Sequence, residues 1–422
     1  MAFLSSFKST FFIWFLLFST CTNHGKDQKT NAETGVRAQD SAMVRPVIVG
    51  ADRTELYLNR LKNKKVGVVA NQTSVIFKKP QTDGPENLGH VAHVHLVDSL
   101  LAHQVNIKAV FAPEHGFRGA ADAGEKVKDG VDPETGIPLI SLYGKNRKPS
   151  AEQLKDLDIV VFDIQDVGVR FYTYIATLQL VMEACAENGK PLIVLDRPNP
   201  NAHYVDGPTM EKAHTGFLGM TEIPLVYGMT IGEYAMMLNG EGWLEGGKKA
   251  DLEVIKLKNW SYDTPYSLPI RPSPNLPNDK AINLYPSLGL FEGTNINAGR
   301  GTEYQFQRYG ASFLDSTKYS FSYIPQPNFG AKNPKEKGKK CFGKDLSQIP
   351  DQNEVSLRWL IDAYTNASDK GRVFNTSGFT KHAGTEKLQQ QIEAGITEEE
   401  IKAGWKPQLE RFKKIRQKYL MY

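Results

Sequence analysis

Only three cysteines occur in 422 residues, too few for the disulfide scaffolds of small secreted domains. Glycine (36) and proline (23) are likewise far below the levels of collagen-like or low-complexity chains. Neither sign of charge dominates: 51 Lys and Arg stand against 47 Asp and Glu, a formal net charge of +4. That balance argues against a dedicated nucleic-acid binder with a continuous basic face. No apolar run approaches the roughly 18 to 20 residues that span a bilayer, and the longest is the octet Phe11 to Phe18. What is present, 40% hydrophobic and 23% charged residues, describes a globular protein long enough for two or three domains with a sizeable core.

Several local signatures are missing as well. No Gly-x-Gly-x-x-Gly follows a strand-like run and no Gly-x-x-x-x-Gly-Lys-Ser/Thr occurs, which counts against a nucleotide-using enzyme. His-Glu-x-x-His and paired Cys-x-x-Cys are absent, so neither a cofactor nor a metal is expected. His90, His93 and His95 cluster; they read as a surface or helix-start group, with metal binding the lesser alternative. The absence of Gly-x-Ser-x-Gly counts against an α/β-hydrolase.

At the N-terminus, Lys8, the octet and Ser19-Thr20-Cys21 follow the charged, apolar and small-residue order of a secretory signal peptide. Cys21 resembles the acylated cysteine of a bacterial lipoprotein. The expectation is a signal peptide over 1–20, a polar tether over 21–45 and an exported protein, a periplasmic or outer-membrane lipoprotein of a bacterium. It would touch the membrane only through a lipid anchor at Cys21; a plain secreted protein is the alternative. Cys185 lies in an apolar helical pattern, which favours a buried free thiol over a bond to Cys341.

From Pro46 onward, β-branched runs alternate with helical patterns: 66–70, 109–112, 159–162 and 192–195, with helices predicted over 96–105 and 174–188. Such alternation implies an α/β domain over 46–215, built on a parallel sheet with crossovers on both faces. Ligands of open α/β sheets sit beyond the carboxyl ends of the strands. All four endings are polar here: Asn71-Gln72-Thr73, Pro113-Glu114-His115-Gly116-Phe117-Arg118, Asp163 to Arg170, and Asp196-Arg197-Pro198-Asn199. Four such endings on one edge point to a site.

A second domain is expected over 216–422. Residues 260–309 are dense in Pro, Gly, Asn and aromatics and read as ordered irregular structure of the kind that carries function. Lys332 to Lys344 reads as a solvated loop. Helices are predicted over 354–364, over 397–403 with a Thr397/Glu400 capping box, and over 407–419.

Carboxylates, arginines, asparagines and aromatics on loop ends suit a polar ring such as a sugar. Glycoside cleavage needs a proton donor for the leaving oxygen and a second carboxylate. Glu114, between a strand and a Gly-bearing turn, is the best donor; the alternative is a loop-locking salt bridge to Arg118. Asp163 and Asp166 are candidates for the assisting carboxylate, with Arg170 nearby; the alternative for one of the two is a structural role, capping the next helix or bracing the turn. Tyr172 and Tyr174 offer ring contacts or belong to the core. Arg118, Arg271 and Arg300 are candidates for gripping an anion or for bridging domains.

Taken in order, these motifs resemble one family, the NamZ exo-β-N-acetylmuramidases, glycoside hydrolase family 171, formerly domain of unknown function 1343. The matching residues are 70–73, 111–119, 163–174, 195–200, Arg271-Pro272-Ser273-Pro274-Asn275, Phe291-Glu292-Gly293-Thr294 and Gly299-Arg300-Gly301-Thr302. The resemblance implies a Rossmann-like N-terminal domain and a smaller α+β C-terminal domain with the active site in the cleft between them. It also implies release of terminal N-acetylmuramic acid (MurNAc) from the non-reducing end of peptidoglycan fragments, as MurNAc–N-acetylglucosamine (GlcNAc) saccharides or muropeptides. On that basis Glu114 is the expected acid and Asp163 or Asp166 its partner, with Glu292 and Glu303 in reserve. Asn71, His115, Arg118, Arg170, Tyr172, Tyr174, Asn199, Arg271, Asn275 and Arg300 are expected to line the sugar site. The competing class is a lipoprotein that binds a muropeptide or other glycan without cleaving it.

Overall fold

The β-branched runs become neighbouring strands of one seven-stranded sheet. Its spatial order is Leu252–Ile255, Leu192–Leu195, Ile159–Asp163, Lys65–Ala70, Asn106–Ala112, Pro138–Ser141 and Gly130–Val131. The first six are parallel and the last is an antiparallel edge. The computed structural model describes residues 45–77, 92–119 and 129–422. The expected signal peptide, tether and Cys21 lie outside the described residues, as does His90.

The central strands are apolar on both faces because both faces are covered. Val69, Val160 and Phe162 enter one core with the helices Tyr174–Glu187 and Ile231–Gly240. Their neighbours Val66, Val68, Ile159 and Val161 enter the other, with helices Thr54–Leu61 and Leu96–Ala102. The period of two along each strand thus divides the side chains between two cores. The chain runs outward from Lys65–Ala70 to Pro138–Ser141, then returns to Ile159–Asp163 and continues in the opposite direction. The reversal falls between Lys65–Ala70 and Ile159–Asp163, and ligand crevices form at such switch points.

The last parallel strand, Leu252–Ile255, comes from beyond residue 216, where the composition changes. After it come helix Asp279–Leu288, a 3₁₀ turn Gly289–Gly293 and an antiparallel sheet ordered Arg308–Ala311, Cys341–Asp345, Phe321–Tyr323. Helices Arg358–Thr365, Thr376–Ala383, Lys387–Glu393 and Glu398–Arg416 complete this α+β half. Its apolar residues, among them Phe291, Phe306, Trp359 and Phe379, join the same core as Phe162 and Leu178.

Two expectations are corrected. Lys332 to Lys344 is not a solvated loop: its end is the central strand Cys341–Asp345, and the Lys335 ammonium is turned inward to the carbonyls of Phe291 and Glu292, 2.9 Å from each. The C-terminal helices predicted over 397–403 and 407–419 are one helix, Glu398–Arg416, which continues through Pro407. Its Thr397/Glu400 capping box forms as read. Ile401, Trp405, Leu409 and Phe412 present one buried stripe across the proline, and that shared burial outweighs the lost backbone hydrogen bond. Cys185 and Cys341 are both buried free thiols. Among the described residues, no helix is long and apolar enough to cross a membrane.

Candidate active site

A cleft of about 1440 Å³ opens at the carboxyl end of the parallel sheet, lined on one side by strand-end residues and on the other by the C-terminal half. Glu114 enters it directly after the strand Asn106–Ala112. Its position is fixed by an abrupt reversal: His115 and Gly116 both adopt left-handed backbone, at φ 69° and 76°, and Gly116 N donates to Pro113 O at 3.0 Å. For the non-glycine His115 that conformation costs about 1–2 kcal/mol, and such strain is tolerated where it aims a functional group. Thr173 Oγ1 donates to Glu114 Oε2 at 3.0 Å. Tyr143 is also hydrogen-bonded to this carboxylate; burial, then the Glu114 charge, pushes its phenol up to about 12.

The C-terminal half contributes Glu292 and Arg300. Arg300 Nε meets Glu292 Oε1 at 3.1 Å, both side chains about one-fifth exposed. Burial alone would raise the Glu292 carboxyl, but Arg300, then Lys335 and His382, outweigh it and hold it at about 2. Glu292 sits in the 3₁₀ turn, pressed onto the helix Thr376–Ala383, and the close approach requires Gly293: a Cβ there would lie 2.3 Å from Phe379 Cα. That helix carries His382 into the cleft. His382 Nδ1 lies 2.8 Å from Gly378 O, and since a carbonyl only accepts, Nδ1 carries the proton and Nε2 the lone pair. Burial lowers its pKa, outweighing the Gly378 hydrogen bond, which raises it, so the neutral imidazole is favoured.

The ion pair makes a testable contribution to stability. A carboxyl whose folded pKa lies below its unfolded value stabilises the fold above the unfolded pKa, about 4.5, and loses that contribution as pH falls through the folded one, about 2. Glu292→Gln is therefore expected to flatten the fall in thermal midpoint between about pH 4.5 and 2.5. Melts across that range, compared with wild type, check this; parallel curves would show that the pair contributes nothing.

Of the residues expected at the site, Glu114, His115, Tyr172, Asn275, Glu292 and Arg300 meet in this cleft. The others do not line it. Asp163 is fully buried and locked to Arg197, with Nε to Oδ1 2.6 Å and Nη2 to Oδ2 2.9 Å. Asp166 is buried and accepts from Gly168 N at 2.7 Å and from the Tyr227 hydroxyl. Burial raises its carboxyl to about 6. The expectation that one of these two assists Glu114 is therefore corrected: both brace the loop beneath the site, and the other carboxylates lining the cleft are Glu292 and the exposed Glu386.

Arg170 is also structural. It is fully buried and donates to the carbonyls of Pro208, Ile223, His382 and Ala383 at 2.7–3.0 Å, tying the strand-end loop to the helix that bears His382. Arg118 is committed to Asp132, at 3.2 and 2.9 Å, with Asp98 and Glu134 nearby; the loop lock exists, but its acid is Asp132. Asn71 accepts from Thr73 N and Oγ1 at 2.9 and 2.6 Å. Asn199 donates to Met229 O at 2.8 Å, and Tyr174 reaches Glu114 O at 3.4 Å from its buried place beside Tyr172. Arg271 is exposed, and its carbonyl accepts from Gln72 Nε2 at 3.3 Å. Glu303 is exposed on the outer loop. Reading the residues alone missed Tyr143, Thr173, Lys335 and His382. Both ring nitrogens of His95 are engaged within the fold: Nε2 lies 2.9 Å from Asn71 O and Nδ1 caps the helix Leu96–Ala102.

A parallel α/β sheet with a polar cleft at its switch point, carboxylates from both halves of the chain and a ring of aromatic and amide groups defines a protein built to handle saccharides. The N-terminal model of the family described as exo-β-N-acetylmuramidase NamZ matches residues 66–280 and its C-terminal model residues 283–422, so the chain belongs to the NamZ exo-β-N-acetylmuramidase family. It is 37% identical over 389 residues to the peptidoglycan β-N-acetylmuramidase NamZ of Bacillus subtilis (strain 168), covering 87% of this chain and 89% of that protein. Two crystal structures of DUF1343 family proteins from Bacteroides fragilis NCTC 9343 share the fold. One has a TM-score of 0.79 at 43% identity, covering 90% of this chain and 99% of its own; the other has 0.73 at 30%, covering 89% and 99%.

Proposed function

We propose that the protein is an exo-acting glycosidase that releases non-reducing terminal β-linked MurNAc from peptidoglycan fragments. The observation that carries this reading is the pairing, in one cleft, of Glu114, oriented by Thr173 and Tyr143, with Glu292, held ionised by Arg300. Glu114 donates a proton to the leaving glycosidic oxygen. Glu292 places negative charge where the sugar ring becomes cationic as the bond breaks. Arg300 spends only Nε on Glu292, and its terminal nitrogens make no other hydrogen bond among the described residues. They suit the lactyl carboxylate that distinguishes MurNAc from GlcNAc. The His382 imidazole lines the cleft, and its Nε2 lone pair accepts a hydrogen bond from a sugar hydroxyl or amide. The test is release of free MurNAc from β-linked MurNAc-GlcNAc by the purified protein.

Export and a lipid anchor at Cys21 belong to the same proposal, supported by Lys8, the Phe11 to Phe18 octet and the small residues before the cysteine. In bacteria expressing the full chain, labelled palmitate is expected to enter the protein and the detergent phase to retain it. Cys21→Ala should lose both. Labelling that persists in the variant would reject Cys21 as the acceptor.

A further inference from the structure

Beside the main cleft lies a second, shallower basin of about 510 Å³, lined by Lys145, Asn146, Lys148, Leu180 and Met220. The two share one wall: Arg147, Thr215, Gly216 and Phe217 line both. That wall is built around the Phe217 ring. The Arg147 guanidinium lies over one part of it, 4.1 Å from the centroid, and the Tyr143 ring lies 6.3 Å away. Tyr143 is the residue hydrogen-bonded to Glu114. A continuous series of contacts therefore leads from the proton donor, through Tyr143 and Phe217, to the basin.

Direction follows from the chemistry. The atom that Glu114 protonates belongs to the leaving group, so the leaving glycan lies on the Glu114–Tyr143 side, while the mostly buried Glu292, Arg300 and His382 hold the terminal sugar. Past Tyr143, a leaving chain meets an aromatic wall and then cations. Arg147 makes no ion pair among the described residues, and neither does Lys145, which lines only the second basin. Lys148, by contrast, is spent on Glu183, Glu187 and Glu245 at 2.8–3.3 Å. In a peptidoglycan strand, the first sugar of the leaving group is neutral GlcNAc and the second is MurNAc with a carboxylate. We infer that the basin is a leaving-group subsite that takes the second sugar of a longer leaving glycan, stacked against Phe217 with its carboxylate on Arg147 and Lys145.

This inference rests on the glycosidase reading, and the experiment separates the two. Steady-state release of MurNAc is measured on MurNAc-GlcNAc, on the peptide-free tetrasaccharide (MurNAc-GlcNAc)₂, and on the same tetrasaccharide with its internal carboxylate converted to the methyl amide. The tetrasaccharide is expected to have a kcat/KM about tenfold above the disaccharide, mainly through KM, and the amide to lose most of that advantage. Lys145→Glu, an exposed change outside the main cleft, should lower the tetrasaccharide advantage to about twofold and leave disaccharide turnover unchanged. Equal specificity constants for all three substrates, with the disaccharide cleaved normally, would overturn the subsite while leaving the glycosidase intact. A tetrasaccharide advantage that survives both the amide and Lys145→Glu would overturn the carboxylate contact. No release from any substrate by folded protein would fail the glycosidase reading itself.

Discussion

Replacing Glu114 by Gln is expected to cut MurNAc release from MurNAc-GlcNAc by about a thousandfold, within the range of general acid–base contributions. That loss corresponds to about 4 kcal/mol of transition-state stabilisation. The variant keeps the side chain's shape and the Thr173 contact but has no proton to give, and a sugar alkoxide is a poor leaving group. The loss should therefore depend on the leaving group: an aryl β-MurNAc glycoside with an acidic phenol needs little protonation and should lose at least tenfold less. Because Glu114 is part-exposed at the cleft and its neighbours remain, the thermal midpoint should move little. Normal disaccharide turnover in the variant would remove Glu114 from the chemistry. Tight saccharide binding by folded wild type with no release would favour the competing class, a glycan-binding lipoprotein.

The sequence was most legible where one period dominates. Runs such as Val66 to Ala70 and Ile159 to Phe162 are apolar at every position because both faces of the sheet are covered, and strand ends locate a crevice almost by topology alone. Glu114 was found this way. The misassigned residues share a cause: polarity at a strand end marks a site but not which polar groups face it. Asp163 and Arg197 sit 34 residues apart, and nothing local reveals that each is the other's partner. Arg170 looked like an anion grip, but four backbone carbonyls take its guanidinium, two of them contributed by residues more than 200 positions away. Lys335 fails the same way, since a basic Gly- and Pro-bearing stretch has the composition of a solvated loop wherever it folds. His382 gave no signal, because a single histidine in a helix is ordinary until tertiary packing turns it toward Glu292.

The buried pair supplies the second large effect. Asp163→Asn is expected to destabilise the protein by about 3–5 kcal/mol, because Arg197 would be left as an uncompensated charge in a site closed to water. Arg197 is 3% and Asp163 0% exposed in their side chains, so solvent cannot screen or solvate the orphan. Arg197 Nη2 also donates to Val75 O at 2.9 Å, so strain from the lost partner would reach the short strand Val75–Phe77 that begins there. The thermal midpoint should drop by on the order of 10 °C. Removing both charges with Asp163→Asn and Arg197→Met should recover part of the loss, since an apolar replacement for a buried pair is often neutral. The decisive reading is activity per folded molecule. If Asp163 only braces the strand end, kcat below the melting range should stay within about threefold of wild type. A hundredfold loss of kcat with an unchanged midpoint would return Asp163 to the reaction and displace Glu292 as the assisting carboxylate.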